Sequence, residues 1–166
     1  MYKQTNPKVS IYAKTKDNKT GITQTYNVMK KWGCLFASLL YLVEQVTNKF
    51  FSISQIKMVY KYGVLDGFIR KDMFINNHIK VLKTGLEILG YDKYHVEYVA
   101  KQDLVKPENS WGSTFHANYQ LLEIETENNN HHFKHHNFDP YEPPTETKRK
   151  RSKRFYLITV EQNGFL

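Results

Sequence analysis

The chain has only one cysteine in 166 residues, so it cannot form an internal disulfide framework. It also lacks any uninterrupted apolar run of about 18 residues, the length that a membrane-spanning helix requires. Residues 1–7 are polar from the outset and do not have the pattern of a signal peptide. From these absences we expect a soluble, cytoplasmic protein that makes no membrane contact.

Positive charge is abundant but unevenly distributed. Residues 148–154 contribute six basic side chains, against a formal net charge of +8 for the whole chain. Because prolines and other charged residues precede this run, we expect residues 142–154 to form a solvated basic loop. Such a loop could contact an acidic partner or nucleic acid. The candidate side chains are Lys148, Arg149, Lys150, Arg151, Lys153 and Arg154.

The only cysteine stands at the start of a strong helical pattern. Apolar residues spaced by three and four positions form one stripe of this helix: Trp32, Leu35, Phe36, Leu39, Leu40, Val43 and Val46. Cys34 lies off that stripe, on the side of Ser38, Tyr41 and Gln45. A thiol at a helix N-terminus meets free N–H donors and the positive end of the dipole, which favour the thiolate. We interpret Cys34 as a nucleophile; the alternative is an inert cysteine packed against a second layer.

The remaining pattern predicts helices first and strands afterwards, which is an α+β layout in a single domain over residues 1–166. The helical half covers about residues 30–90. Ser52 and Gln55 have capping-box spacing, Gly63 is a candidate helix end, and a further helix is expected over residues 77–89. An antiparallel sheet follows over about residues 94–162. Its strands are expected at residues 94–100, 115–125, 132–138 and 155–160.

A nucleophilic thiol needs a base beside it and a group that orients the base. His116 starts one predicted strand, and Asp139 ends the next. If these strands pair as a hairpin around residues 128–130, His116 and Asp139 become neighbours. We therefore predict a catalytic triad of Cys34, His116 and Asp139. The alternatives are a solvated His116 and an Asp139 that serves only the turn before Pro140.

Four histidines in residues 131–136 form a second chemical cluster. Imidazoles can bind Zn²⁺, Cu²⁺ or Ni²⁺. No cysteine or carboxylate stands at a ligand spacing within the run, so we interpret it as a polar hairpin strand. We expect no metal site and no cofactor.

These motifs carry a resemblance. Residues 32–36 (Trp-Gly-Cys-Leu-Phe), the strand that opens with His116 and residues 138–141 (Phe-Asp-Pro-Tyr) resemble the papain-like cysteine peptidase superfamily. The closer likeness is to its small bacterial, bacteriocin-processing-peptidase-like branch. More narrowly, the chain resembles an uncharacterised plasmid- or phage-borne family from spirochaetes. The resemblance covers roughly residues 22–141. It implies a papain-like α+β fold and amide hydrolysis through a thioester, with Cys34 as nucleophile, His116 as base and Asp139 as orienting group.

One position departs from the pattern of the superfamily. Members usually carry an oxyanion-hole glutamine about six residues before the cysteine, and here that position is Val28. Gln24 and Asn27 are the nearby amides, but neither has the expected spacing. Two functions therefore stand side by side. The first is a thiol peptidase or amidase-like hydrolase, and the second is a catalytically inactive binding module that uses the basic loop.

Overall fold

The computed structural model describes residues 1–104 and 118–161 and has the predicted α+β class. Helices dominate the first part of the chain and antiparallel strands the second, preceded by one short hairpin. The helices are α1 (Val28–Trp32), α2 (Cys34–Thr47), α3 (Ile53–Asp66) and α4 (His78–Ile88). The strands are β1 (Tyr12–Lys16), β2 (Thr23–Asn27), β3 (Tyr94–Asp103), β4 (Tyr119–Thr126), β5 (His131–Lys134) and β6 (Thr147–Val160). No helix in these ranges is both long and apolar enough to cross a membrane.

Helix α2 lies at the centre of the fold and is packed on two sides. Its apolar stripe meets α4 at Gly85, where an added Cβ would lie 3.3 Å from the Leu40 side chain. On the other side, the Ser38 hydroxyl donates to the Phe133 carbonyl at 3.2 Å. The Tyr41 ring stacks on Phe138 with centroids 4.6 Å apart. The prediction that Ser38 and Tyr41 lie off the apolar stripe of α2 is confirmed.

The capping box of α3 forms as predicted, but the helix ends later than its glycine suggested. Ser52 and Gln55 exchange both capping hydrogen bonds. Gly63 is buried inside the helix, since a side chain there would collide with Ile69 at 2.4 Å. The helix instead ends at Asp66, and Gly67 follows with a left-handed φ of 82°. Gly63 was predicted as a helix end and is in fact a close-packing position.

The main sheet has the strand order β3-β6-β4-β5, with antiparallel neighbours. Its central strand β6 begins at Thr147 and therefore contains the basic run. The prediction of a basic loop over residues 142–154 is wrong for residues 147–154, which belong to β6. The loop ends where β6 starts, and the charged side chains belong to a paired strand.

Charge complementarity across the sheet explains how such a basic segment forms a strand. Arg149 makes an ion pair with Glu125 on β4. Two residues earlier on β4, Glu123 accepts a hydrogen bond from the Ser152 hydroxyl of β6 at 2.9 Å. The Arg154 guanidinium lies 4.8 Å from the Phe133 ring centroid. Cross-strand partners of opposite charge stabilise a sheet. Here they compensate positive charge that the sequence alone predicts to be exposed to solvent.

The start of the chain forms a two-stranded sheet of β1 and β2, which enters α1 directly. Before this sheet, Val9 lies in a 3-10 turn over Pro7–Val9. Asn6 caps this turn by accepting from the Lys8 N–H at 3.0 Å. The segment before it passes beneath α1 and beside the loop that follows β5.

Candidate functional site

Cys34 is the first residue of α2 and is half-buried. The preceding helix α1 ends in Gly33, whose N–H donates to the Met29 carbonyl at 2.9 Å. A Cβ at Gly33 would lie 2.3 Å from that same carbonyl oxygen, so only glycine fits between the two helices. No side chain caps α2. The thiol therefore stands at a helix start whose backbone donors are not engaged by a capping side chain.

A buried histidine stands between the thiol and a carboxylate. His132 on β5 is 2% exposed, and its Nε2 lies 2.9 Å from Asp139 Oδ1. The same imidazole lies close enough to the Cys34 side chain for the two to interact, and this interaction raises the pKa of His132. Because Nε2 faces Asp139, Nδ1 is the ring nitrogen left for the thiol. One imidazole thus links the only cysteine to an aspartate more than a hundred residues later in the chain.

The surroundings of His132 favour its charged form. Burial lowers the pKa of the imidazole, but the hydrogen bonds to Asp139 and Cys34 outweigh burial and raise the pKa above its ordinary value. Tyr141 stacks on the ring with centroids 4.6 Å apart. This stacking covers one face of the imidazole and fixes its orientation. A cationic imidazole beside a thiol is the environment that stabilises a thiolate.

Asp139 is held by a dense set of donors. Its Oδ2 accepts from the Thr145 hydroxyl at 2.6 Å and from the Thr145 N–H at 2.9 Å, and its Oδ1 accepts from the Tyr141 N–H at 3.0 Å. Lys134 Nζ lies 3.3 Å from Oδ2. Burial would raise the pKa of this carboxyl, but the bonds from His132, Thr145 and Tyr141 together hold it well below its usual range. Asp139 is therefore an anion whose position is fixed.

The structure brings together two of the three residues that the sequence selected. Cys34 and Asp139 lie on either side of one histidine. The hairpin of β4 and β5, which was expected to bring His116 beside Asp139, forms as predicted. His116 lies outside the described residues, so its role stays a prediction. His132 was grouped with the polar histidine run. The signal that could have identified it is its position seven residues before Asp139, across one turn.

The amides near Cys34 serve the fold. Asn27 caps α1 through its Oδ1, which accepts from the Lys30 N–H at 3.2 Å, and its Nδ2 donates to the Ser10 hydroxyl at 3.1 Å. Gln24 is exposed in strand β2. Val28 is fully buried in the core. No side-chain amide at these three positions is therefore directed at the thiol.

The other histidines of the run have separate environments. His135 is buried, and burial lowers the pKa of its ring to about 4. His131 is half exposed and contacts Arg151. Within residues 1–104 and 118–161, no three His, Cys, Asp or Glu side chains are grouped so that they could hold a metal ion. The histidines of the run thus lie in three environments: His132 in the site, His135 in the core and His131 at the surface.

A polar cavity of about 340 Å³ borders the site on the side of Tyr141. Its lining includes His132, Tyr141, Thr145 and Glu146. Residues of the β4 end and of the turn between β4 and β5 also line it: Thr126, Glu127, Asn128 and Asn130. A group entering this cavity would meet hydroxyl, amide and carboxylate groups beside the imidazole.

No curated protein and no solved structure matches this chain. One family does match, over residues 14–135, which is well over half of the chain. The matched region contains Cys34 and His132 and ends four residues before Asp139. The chain therefore belongs to the family described as protein of unknown function, DUF261.

Proposed function

We propose that this protein is a thiol hydrolase of the peptidase or amidase type. Cys34 is the nucleophile, His132 transfers the proton, and Asp139 orients the imidazole. The observation that carries the proposal is one buried imidazole that is hydrogen-bonded to a buried carboxylate and interacts with the only thiol. A nucleophile, its base and a group that orients the base are the parts that acyl transfer requires.

The proposed reaction has two stages. The Cys34 thiolate attacks the amide carbonyl carbon, a C–S bond forms, the C–N bond breaks, and His132 gives its proton to the departing amine. Water then attacks the thioester carbonyl while His132 accepts a proton from it. The C–S bond breaks, the carboxylic acid leaves, and the Cys34 thiolate and the protonated His132 are regenerated. Asp139 stays ionised throughout and stabilises the imidazolium.

The tetrahedral intermediates of both stages carry a negatively charged oxygen that needs donors. The start of α2 supplies backbone N–H groups beside Cys34, and no side chain caps this helix end. The partial positive charge of the helix N-terminus acts in the same direction. Since Asn27 is engaged elsewhere and Val28 is apolar and buried, we assign the oxyanion to these backbone donors.

The arrangement of elements also supports the papain-like fold that we infer for this chain. A cysteine begins a central helix, and the helix packs on an antiparallel sheet through Ser38 and Phe133. The histidine comes from a strand of that sheet, and the aspartate follows shortly afterwards. The order Cys, His, Asp along the chain is the order that the resemblance implies.

The test is the rate at which iodoacetamide alkylates Cys34 across about pH 5–9. The variants are His132→Ala, Asp139→Asn and, as a matched control, His116→Ala. We expect Cys34 in wild type and in His116→Ala to react readily at pH values below those at which a free thiol ordinarily reacts. His132→Ala should react about 10- to 100-fold more slowly near neutral pH, and Asp139→Asn should fall between. Urea unfolding of each variant verifies that it is folded.

Two outcomes would contradict this assignment. If His116→Ala abolishes the acid-side reactivity and His132→Ala does not, His116 is the base, as the sequence predicted. If alkylation is slow and indifferent to both histidines, the hydrolase proposal fails. The inactive binding module would then be the remaining interpretation.

A further inference from the structure

Residues 3–5 run between the two halves of the candidate site and contact both. The Gln4 N–H donates to the Pro140 carbonyl at 2.9 Å, next to Asp139. The Gln4 side-chain amide reaches in the other direction, and its Nε2 donates to the Lys30 carbonyl at 2.9 Å and to the Met29 carbonyl at 3.3 Å. These carbonyls belong to the helix that ends just before Cys34. Gln4 itself is fully buried.

The residues on either side of Gln4 reinforce the contact with the aspartate loop. Lys3 Nζ donates to the Asp139 backbone carbonyl at 2.7 Å. The same ammonium lies 5.0 Å from the Phe138 ring centroid. Thr5 Oγ1 accepts from the Glu142 N–H at 3.1 Å. Three consecutive residues therefore hold the backbone that positions Asp139.

A carboxamide suits this position better than other polar groups. The last carbonyls of a helix lack the full set of partners within the helix, although the Met29 carbonyl also accepts from the Gly33 N–H. The two N–H groups of one amide can donate to both carbonyls. An ionised glutamate has only acceptors and would repel both carbonyls. The Gln4 Oε1 has no hydrogen-bond partner among the described residues. The side chain thus engages both donors and leaves its acceptor unpaired.

We propose that Gln4 is a positioning residue of the Cys34–His132–Asp139 site. Its hydrogen bonds fix the end of α1, and with it Cys34, relative to the loop that carries Asp139. The inference rests on the proposed function. Cys34 and Asp139 lie far apart in the chain, and hydrogen-bonded catalytic groups tolerate little displacement. A short segment that is hydrogen-bonded to both sides of the site keeps the relative positions of Cys34 and Asp139 fixed.

The experiment compares Gln4→Met with wild type. Methionine fills a similar volume and removes both amide donors. The matched control is Asn76→Ala, which removes an amide that donates to the Gly67 carbonyl at 3.0 Å in the loop between α3 and α4. Cys34 alkylation is measured against pH, and the titration of the His132 ring is followed by NMR. Both variants are also unfolded with urea.

We expect Gln4→Met to slow alkylation near neutral pH by about tenfold or more and to move the His132 titration midpoint towards that of a free imidazole. Asn76→Ala should leave both unchanged, even where its unfolding midpoint falls as much as that of Gln4→Met. If the two variants lose stability equally and neither changes the pH profile or the titration, Gln4 is only structural and the proposal is overturned.

The two readouts separate this proposal from the one on which it rests. If wild-type alkylation does not depend on His132, the hydrolase proposal fails, yet the His132 titration in Gln4→Met still decides whether Gln4 positions the imidazole. If Gln4→Met does not fold, Lys3→Met serves instead, because Lys3 is only half-buried. A shift of the His132 titration in Lys3→Met supports the role of the segment, and an unchanged titration overturns it.

Discussion

Histidines in this protein have opposite charge preferences because their neighbours differ. His132 faces a carboxylate and a thiol, and its pKa is raised. His78, the first residue of α4, faces the Tyr156 hydroxyl at 2.7 Å. Burial, aided by the nearby Arg154 charge, lowers the pKa of His78 to about 4. Since burial raises the pKa of Tyr156, its hydroxyl keeps its proton and donates to the neutral imidazole.

His78 should therefore make the stability of the protein depend on pH. The unfolded chain binds a proton at this residue near pH 6.5, while the folded protein does so only near pH 4. The contribution is fully present above pH 6.5 and falls as the pH decreases, by about 3 kcal/mol at pH 4. We expect His78→Gln to lose less unfolding free energy than wild type between neutral and acidic pH, measured by urea denaturation.

The exposed His95 provides the control for this prediction, because His95→Gln changes a histidine on the surface of β3. His135, whose pKa is also lowered to about 4, adds a parallel pH dependence to every variant. Only the difference from wild type is therefore diagnostic. Equal acid sensitivity of wild type and His78→Gln would contradict the prediction.

The sequence identified Cys34 and Asp139 but not the histidine between them. A helix start and a strand end are local features, and residue types mark them directly. The burial of His132 depends instead on α2 packing against β5, where Ser38 reaches the Phe133 carbonyl. It also depends on Tyr141 covering the ring. Neither contact can be predicted from the run of histidines itself, because its pattern is that of a polar strand.

At the scale of elements, the junction of α1 and α2 sets the direction of the Cys34 thiol. Gly33 has no room for a side chain, since a Cβ would meet the Met29 carbonyl oxygen at 2.3 Å and its sulfur at 2.8 Å. Any larger residue must therefore push the two helices apart. Because Cys34 is the next residue, such a change moves the thiol relative to His132.

We expect Gly33→Ala to lower the unfolding free energy by about 1–3 kcal/mol and to slow Cys34 alkylation. The matched control is Gly85→Ala, where the new Cβ would lie 3.1 Å from Phe51. That variant should lose stability through the contact of α2 with α4 but keep the alkylation rate of wild type. Similar rates for Gly33→Ala and wild type would show that the junction does not position the thiol.

Helices α2 and α4 and the start of α3 were predictable, whereas the longest strand was only partly so. Ser52 and Gln55 specify the start of α3 through bonds within three residues, so the sequence is sufficient there. Strand β6 depends on partners far away in the chain, including Glu123 and Glu125 on β4. Its basic composition is typical of a solvated loop. The error over residues 147–154 therefore comes from interactions that local patterns do not contain.

At the scale of the whole molecule, the two sheets differ in how they are supported. Strand β6 pairs with a neighbour on each side and contributes Phe155, Tyr156 and Ile158 to the buried interior. The β1–β2 hairpin has two strands, and its residues are exposed or half-buried. Two-stranded hairpins have marginal stability of their own.

We expect native-state hydrogen exchange to report this difference. Amides in the Phe155–Ile158 part of β6 should exchange through global unfolding. Those of β1 and β2 should exchange through local opening, with protection lower by at least about tenfold. Mass spectrometry of peptides from the two regions provides the measurement. Equal protection in both sheets would mean that the hairpin opens only when the whole protein unfolds.

The strand order has a consequence for folding during synthesis on the ribosome. β6 is the last of the described strands along the chain, yet it lies between β3 and β4. A nascent chain that has not yet delivered β6 can form its helices and the hairpin of β4 and β5, but no other described strand joins β3 to β4. Cys34 emerges before the strands of the main sheet, and its complete surroundings assemble only after β6 has been synthesised. A growing chain would thus carry its thiol, from the synthesis of α2 until that of β6, without the finished sheet behind it.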